Sequence, residues 1–328
     1  MNKVSVIIPN YNGMKFVNDC MVSLQKQNYK AFDTIIIDNY SIDGSYEYLV
    51  DNYPEAIIKR MDKNYGFSIA VNEGIKMSET EYVLLLNNDT EVDPNFVGEL
   101  VKAIEKDDKI FAVSSKMISY WDRKVMDDAG DLYNLFGWAF QKGVGRSINE
   151  YNKKSNVFTA CAGAAIYRKK VFEKIGYFDE KHFAYLEDID IGYRARIYGY
   201  KNVYCPTAIV YHMGSATSGS KYNSFKVKLS ARNNIYLIYK NTPVWQFIMN
   251  FPFLFAGFTI KALFFKKIGF VKDYIAGIRE GVLTSYRLKR IDFDKEMHKR
   301  CLMIELELIA NTFVYVKDYL DRRSKKES

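Results

Sequence analysis

Three carboxylates fall within four positions at Glu187-Asp188-Ile189-Asp190, led in by the aromatic run His182-Phe183-Ala184-Tyr185. Acids this close repel one another, and apolar neighbours strip their water. Both effects raise a carboxyl pKa toward the range where it takes up a proton. A second acidic centre lies far upstream, where the apolar run Leu84-Leu85-Leu86 ends in Asn87-Asn88-Asp89. A buried parallel strand delivers a metal-binding or phosphate-facing group to the carboxyl edge of a sheet in this way. One acid for a metal and one for a proton make a workable kit for group transfer.

The elements that must position these groups follow from periodicity. Short apolar runs at 4–8, 34–38, 56–60 and 82–86 read as strands. Between them, 16–27, 45–53 and 67–77 read as helices, the first with Phe16, Cys20 and Leu24 on one face. This alternation predicts an α/β layer with a mostly parallel sheet. Such sheets bind ligands beyond the carboxyl ends of their strands. Pro9-Asn10-Tyr11-Asn12-Gly13, Asp38-Asn39 and Asn87-Asn88-Asp89 all fall at those ends, so three separate turns are expected to converge on one cleft.

Residues 119–156 mix Gly130, Gly137, Gly143 and Gly145 with Trp121, Tyr133, Phe136, Trp138 and Phe140. The stretch reads as an irregular insertion or hairpin at the cleft rim that shapes an acceptor site. Trp121 and Trp138 suit sugar stacking or a core role equally. Residues 157–167 read as a strand, 169–175 and 188–198 as helices, and Ala208-Ile209-Val210-Tyr211 as a strand leading to His212. Asp190 is expected to cap its helix or pair with Arg194.

Beyond about residue 221 the chain turns helical, aromatic and basic. Residues 244–265 are the most apolar, interrupted by Gln246, Asn250, Pro252 and Lys261, and fall short of a clean spanning helix. Lys261, Lys266 and Lys267 beside Phe258, Phe264 and Phe265 fit an interfacial helix on an anionic leaflet; a buried packing helix is the alternative. Residues 294–320 repeat Met297, Cys301, Ile304 and Leu308 at helical spacing. The tail Arg322-Arg323-Ser324-Lys325-Lys326 reads as a solvated end.

The chain has 328 residues and a net charge of +8, which points to an anionic partner such as nucleotide phosphates or an acidic membrane face. Its 26 Tyr and 22 Phe suit core, sugar stacking or membrane interfaces. Cys20, Cys161, Cys205 and Cys301 have neither zinc nor redox spacing, and no secretory leader is read near Met1, so a reducing cytosol is expected.

Taken in order, Val4-Ser5-Val6-Ile7-Ile8-Pro9-Asn10-Tyr11-Asn12-Gly13, Ile37-Asp38-Asn39-Tyr40-Ser41-Ile42-Asp43-Gly44-Ser45, Asn64-Tyr65-Gly66-Phe67, Asn72-Glu73-Gly74 and Asn87-Asn88-Asp89 form a series. It continues through Gly163-Ala164-Ala165, Gly176-Tyr177-Phe178-Asp179-Glu180, Glu187-Asp188-Ile189-Asp190 and His212. The series resembles the inverting family two glycosyltransferases with a GT-A fold. The rhamnosyltransferase-like bacterial and archaeal members are the most similar, and the resemblance covers residues 4–218.

The resemblance implies a catalytic domain at 1–220, Rossmann-like with helices flanking its sheet, followed by a helical region at 221–328. It implies that Asp38 accepts a hydrogen bond from the N3–H of uracil or thymine; capping its turn is the alternative. Pro9 and Tyr11 would wall the base and ribose, with Asn12, Asn64, Gly66, Asn87 and Asn88 completing the nucleotide-sugar site. Gly74 would shape the helix that follows. Asp89 matches the last acid of the family's Asp-x-Asp motif and would hold Mg²⁺ or Mn²⁺ against the diphosphate. Asn87 replaces the first acid, and an amide oxygen ligates more weakly. His212 is implied as a further metal or diphosphate ligand, Asp188 as the general base and Glu187 as its support.

The function so implied is transfer of L-rhamnose or another hexose from a UDP- or dTDP-linked donor to a glycan or lipid-linked acceptor. The enzyme would be cytoplasmic, peripheral to the inner leaflet, and would not bind nucleic acid. A donor-binding homologue of weak activity is one alternative, because of Asn87. Sugar-phosphate nucleotidyl transfer is another, but Pro9-Asn10-Tyr11-Asn12-Gly13 is not a triphosphate loop. A basic membrane- or nucleic-acid-binding module is a third, opposed by Asp38, Asp43 and Asp89 at the sheet ends.

Overall fold

The computed structural model describes residues 2–214 and 222–327, with side chains as far as residue 322. Residues 215–218 at the end of the resemblance, the boundary expected at 220–221 and the side chains of the basic tail after Arg322 lie outside the described residues.

The first seven elements fall where the alternation places them. They are β1 (Val4–Asn10), α1 (Val17–Gln25), β2 (Phe32–Asp38), α2 (Ser45–Asn52), β3 (Ile57–Arg60), α3 (Phe67–Met77) and β4 (Tyr82–Leu86). Then come β5 (Thr90–Val92), α4 (Phe96–Ile104), β6 (Ile110–Ser119), β7 (Met126–Asp128), β8 (Asp131–Tyr133), β9 (Ala139–Gln141), β10 (Ser155–Val157), β11 (Ala164–Arg168), α5 (Lys169–Ile175), α6 (Glu187–Ile197) and β12 (Lys201–His212). Four helices follow: α7 (Ser224–Asn241), α8 (Val244–Lys267), α9 (Val271–Thr284) and α10 (Lys295–Glu327).

The main sheet runs β10-β12-β6-β11-β4-β1-β2-β3, with β5 on β12 and β7 on β6. β3, β2, β1 and β4 are mutually parallel, and β6 and β12 run the same way beyond the antiparallel β11. The strands β1, β2 and β4 are near-continuous runs of Val, Ile and Leu because helices cover both faces. Burying each such side chain stabilises by about 1.5–3 kcal/mol. Gly74 has a packing role. A Cβ there would lie 2.4 Å from Ile7 Cγ2, so only glycine lets α3 seat against β1.

One expected strand is corrected. Residues 157–167 form two strands, β10 and β11, separated by 158–163. The intervening backbone pairs elsewhere: Phe158 N and Thr159 N donate to Asp131 O at 3.1 and 3.2 Å, and Asp131 N donates to Thr159 O at 3.1 Å.

The chain divides into two compact units. One is Met1–Asp131, Gln141–Ala195 and Tyr200–Lys221; the other is Leu132–Phe140, Arg196–Gly199 and Tyr222–Ser328. The stretch expected as one rim insertion is thus split. In the second unit Trp138 is core, donating Nε1–H to Gly257 O at 3.2 Å and packing against Phe136 and Tyr315. Lys261 is not displayed outward as expected: its ammonium lies 5.9 Å from the centre of the Trp138 ring, and burial lowers its pKa to about 8.

The helix α8 turns its polar residues inward. Gln246 and Asn250 are buried and donate to Glu305 Oε2 on α10 at 2.6 and 2.8 Å. Ile248, Phe251, Phe255 and Leu263 are exposed. Pro252 sits inside the helix without ending it. By length and composition α8 could cross a membrane, with a mean hydropathy of 1.6 and 17% of its apolar window buried. A single such helix is weak evidence. Met297, Cys301, Ile304 and Leu308 of α10 are all buried, as their spacing predicts.

Candidate active site

The three turns at the carboxyl ends of β1, β2 and β4 do meet, and Asn10 is the hub. Its Nδ2 donates to Asp38 Oδ1 at 2.8 Å, and its Oδ1 accepts from Asn88 Nδ2 at 2.8 Å. Gly13 lies against this link: a Cβ there would be 2.2 Å from Asn88 Nδ2 and 2.3 Å from Asn10 Oδ1. Gly13→Ala is therefore expected to destabilise the fold by about 1–3 kcal/mol. The readout is a lower urea midpoint with unchanged m-value.

Asp38 is fully buried, and what it does here is brace the turn. Oδ1 holds Asn10, Oδ2 accepts Ser41 N–H at 3.0 Å, and Arg60 Nε stands 3.7 Å away. A pyrimidine N–H reaching Asp38 must share or displace one of these bonds. Asn12 takes φ +51° and locks the same loop, accepting from Ile42 N and donating its own N–H to Ser41 Oγ, each at 2.9 Å. Tyr11 is exposed and Pro9 half-buried, both at the cleft side of β1. Asn64 and Gly66 form a further turn. Asn64 Oδ1 accepts from Gly66 N at 2.9 Å and Asn39 Nδ2 at 3.0 Å. Gly66 has φ +85°, and a Cβ on it would meet Phe183 O at 2.5 Å, so this turn packs directly on the lead-in to the acidic triplet.

The three residues of Asn87-Asn88-Asp89 diverge in task. Asn88 points to Asn10, and the Asn87 amide lies near Gly163. Asp89 turns to His212, with Oδ1 3.4 Å from Nε2. The pairing of β5 with β12, which sets Thr90 opposite His212, produces that approach. His212 Nδ1 is 2.7 Å from Asp127 Oδ2. Burial alone would lower the His212 pKa, but the hydrogen bonds and charges of Asp127 and Asp89 win and raise it to about 10. The imidazolium thus sits between two carboxylates.

At the second acidic centre the backbone is strained. Phe183, Tyr185 and Leu186 take φ of +63°, +72° and +65°, a region that side chains rarely adopt. Glu187 then opens α6, almost fully buried, with no hydrogen-bond partner for Oε2 among the described residues. Burial, then Asp188 and Asp190, push its pKa up to about 8. Asp188 is half-buried and its pKa is raised by burial, against the Ile189 N–H that meets Oδ1 at 2.7 Å. Asp190 pairs with Arg194 at 2.9 Å, one of the two expected roles. Trp121, 71% exposed, donates Nε1–H to Met213 O at 2.9 Å next to His212.

The sequence reading missed the segment that joins these centres. Asp127 backs His212. Its neighbour Asp128 is wholly buried, and one carboxylate oxygen each from Asp128 and buried Asp131 and the thiol of half-buried Cys161 lie within 4.8 Å of one another. Asp131 lies against Asp188. The segment 127–131 thus stands between the two centres, with Asp127 against His212 and Asp131 against Asp188.

Comparisons with known proteins bear on this arrangement. The glycosyltransferase YibD of Escherichia coli (strain K12), itself uncharacterized, is 38% identical over 110 residues, 33% of this chain and 32% of that protein. The N-acetylglucosaminyl-diphospho-decaprenol L-rhamnosyltransferase of Mycobacterium tuberculosis (strain ATCC 25618 / H37Rv) is 22% identical over 264 residues, covering 74% of this chain and 86% of that one. The chain spans about half or less of the length of several curated relatives, YibD among them. Among solved structures, GalNAc-T7 with UDP, GalNAc and Mn²⁺ superposes with a TM-score of 0.58 at 16% identity, over 73% of this chain and 48% of that one. That likeness shows the fold, which is of the GT-A type. The model of the family described as "Glycosyl transferase family 2" matches residues 5–176. A parallel sheet with polar turns gathered at its carboxyl edge, matched over more than half of its length by that one family, leaves no other assignment: the chain belongs to glycosyl transferase family 2.

Proposed function

We propose that the chain is an inverting hexosyltransferase that moves L-rhamnose or another hexose from a UDP- or dTDP-linked donor to a glycan or lipid-linked acceptor. One arrangement supports this: Asp89 faces His212, Asp127 backs that histidine, and Asp131 of the same segment lies against Asp188. Pro9, Tyr11, Asn12, Asp38, Asn64, Gly66, Asn87 and Asn88 border the nucleotide-sugar end.

A divalent cation fits beside Asp89. The donor set is a carboxylate and an imidazole nitrogen facing each other, with Asp127 behind the other ring nitrogen, the outer partner a metal-bound histidine uses. Mg²⁺ or Mn²⁺ held by Asp89 and His212 would neutralise charge on the departing diphosphate. Asp188 accepts the acceptor hydroxyl proton. The hydroxyl oxygen bonds to the anomeric carbon as the bond to phosphate breaks, and the nucleoside diphosphate leaves with the electron pair. Glu187, mostly protonated at neutral pH, supports Asp188 without adding a second charge. A thermal-shift screen of nucleotide sugars with and without Mn²⁺ tests donor choice, since a selective ligand raises apparent stability. Failure of every UDP- and dTDP-sugar to stabilise the protein or release nucleoside diphosphate counts against the proposal.

The enzyme is proposed to work at the cytoplasmic face of a membrane. The inside-out polarity of α8 supports this, because exposed Ile248, Phe251 and Phe255 face water at a cost unless a lipid surface takes them. Exposed Lys266 and Lys267 end the same helix and suit anionic headgroups. An apolar cavity of about 460 Å³, lined by Ile238, Phe247, Phe251, Phe255 and Val282 with Arg290 among its walls, suits an acyl or prenyl chain. Replacing Ile248, Phe251 and Phe255 together by Glu is expected to weaken binding to vesicles containing anionic lipid more than tenfold. Each lost apolar contact is worth about 1.5–3 kcal/mol when fully buried. Sedimentation with vesicles checks it, and unchanged partitioning contradicts it.

A further inference from the structure

Asp131 lies outside every motif above, yet its position is fixed as tightly as that of Asp188. The backbones of Asp131 and Thr159 exchange hydrogen bonds at 3.1 and 3.2 Å, and Thr159 Oγ1 donates to Asp188 O at 2.7 Å. The approach of α6 to Thr159 needs Gly192, where a Cβ would lie 2.1 Å from Oγ1. One threonine therefore clamps both acids, and their carboxyl groups stand against each other. Two ionised carboxylates have no donor between them, so this contact requires a proton.

The geometry also shows which acid holds it. Asp188 accepts the N–H groups of Ile189, at 2.7 Å, and Ala162, and backbone donors favour a charged carboxylate. Asp131, only 7% exposed, faces Asp128 and Asp188, and neither Asp128, Asp131 nor Asp188 forms an ion pair among the described residues.

We propose that Asp131 stays protonated and donates its hydrogen bond to Asp188, as a positioning residue that keeps the base ionised and aimed at the acceptor. The proposal rests on the reading of Asp188 as base. The surrounding titratable groups agree with it. Burial, then Asp128 and Asp188, raise Asp131 well above the usual carboxylate range, and burial, then Asp127, raises Asp128 to about 8. Cys161 from the segment between β10 and β11, Tyr167 from β11, and Glu187 and Asp190 from α6 add no positive charge nearby. With no ion pair to Asp128, Asp131 or Asp188 among the described residues, protons offset the charge of Asp128 and Asp131.

The test compares Asp131→Ala with Asp131→Asn. An asparagine N–H replaces the donated hydrogen bond, and alanine does not. Alanine is expected to lower kcat roughly tenfold or more with donor KM unchanged, and to move the acid limb of the kcat–pH profile upward, because Asp188 loses a bond that favours its charged form. Asparagine is expected to recover most of that loss. A merely structural role, or a role as an ionised ligand for a cation, predicts that asparagine is as damaging as alanine or that the acid limb stays in place; either result overturns the proposal. Infrared difference spectra of the whole protein give a reading without turnover. Asp128 and Glu187 also contribute to the protonated-carboxyl band at neutral pH, so the band should lose one component in Asp131→Asn, and an unchanged band overturns the proposal. If Asp188→Asn keeps full turnover while that component is still lost in Asp131→Asn, the base assignment has failed and the Asp131 proton has not.

Discussion

Asp188→Asn is expected to lower kcat roughly 1,000-fold while leaving nucleoside diphosphate binding within about twofold of the unaltered protein. General base catalysis contributes about 100- to 10,000-fold, and the site holds no replacement. Glu187 is the nearest alternative acid, but burial and its two acidic neighbours keep it protonated until about pH 8. Burial, then Asp128 and Asp188, hold Asp131 well above the usual carboxylate range as well. Asparagine keeps the shape, and its amide oxygen keeps the Ile189 N–H contact, so α6 is undisturbed. The pair of measurements is steady-state turnover and calorimetric titration with UDP and dTDP. Loss of both together would mean that the substitution damages the fold or that Asp188 belongs to the nucleotide site.

The second large effect is at the other acid. Asp89→Ala, or removal of divalent metal by chelation, is expected to cost roughly 100- to 1,000-fold in kcat, the scale of losing one preorganised charge partner at the leaving group. The charge balance predicts a pH signature too. Without a cation, His212 holds its proton up to about pH 10 because Asp127 and Asp89 flank it. A metal at Nε2 must displace that proton, so affinity for Mn²⁺ should rise with pH toward 10 and each ion bound should release about one proton. Titration calorimetry in buffers of different ionisation enthalpy reads the proton directly. Mn²⁺ binding with no proton release would remove His212 from the ligand set and leave Asp89 alone there.

The first half of the fold was legible because its strands are buried on both faces, and Leu84-Leu85-Leu86 or Ile35-Ile36-Ile37 look the same in sequence as in space. The helices at Phe96–Ile104 and the long strand at Ile110–Ser119 drew no expectation. The strand carries Ser114, Ser115 and Lys116, which break its apolar pattern. Its polar groups are buried nonetheless, with Ser115 Oγ bonded to Ala164 O at 2.8 Å and Lys116 Nζ to Ile148 O at 2.8 Å.

The acids at 89 and 188 were legible as motifs, whereas the chain linking them was not. Asp127-Asp128-Ala129-Gly130-Asp131 is three acids in five positions, close to the three in four that singled out residues 187–190. It was overlooked because it lies among glycines and aromatics that read as a loop. Its meaning depends on β7 pairing with β6 and on Asp131 bridging Thr159, long-range contacts with no local signature. For Gln246 and Asn250, the sequence shows polar breaks in an apolar run, and only the partner Glu305 on α10 reveals that they face inward.

The configuration of the anomeric carbon in the product tests the central claim most directly. If a carboxylate at 188 takes the acceptor proton on the face opposite a diphosphate held at Asp89, proton NMR of the first product formed must show the sugar inverted relative to its donor. A product that retains the donor configuration would contradict the account.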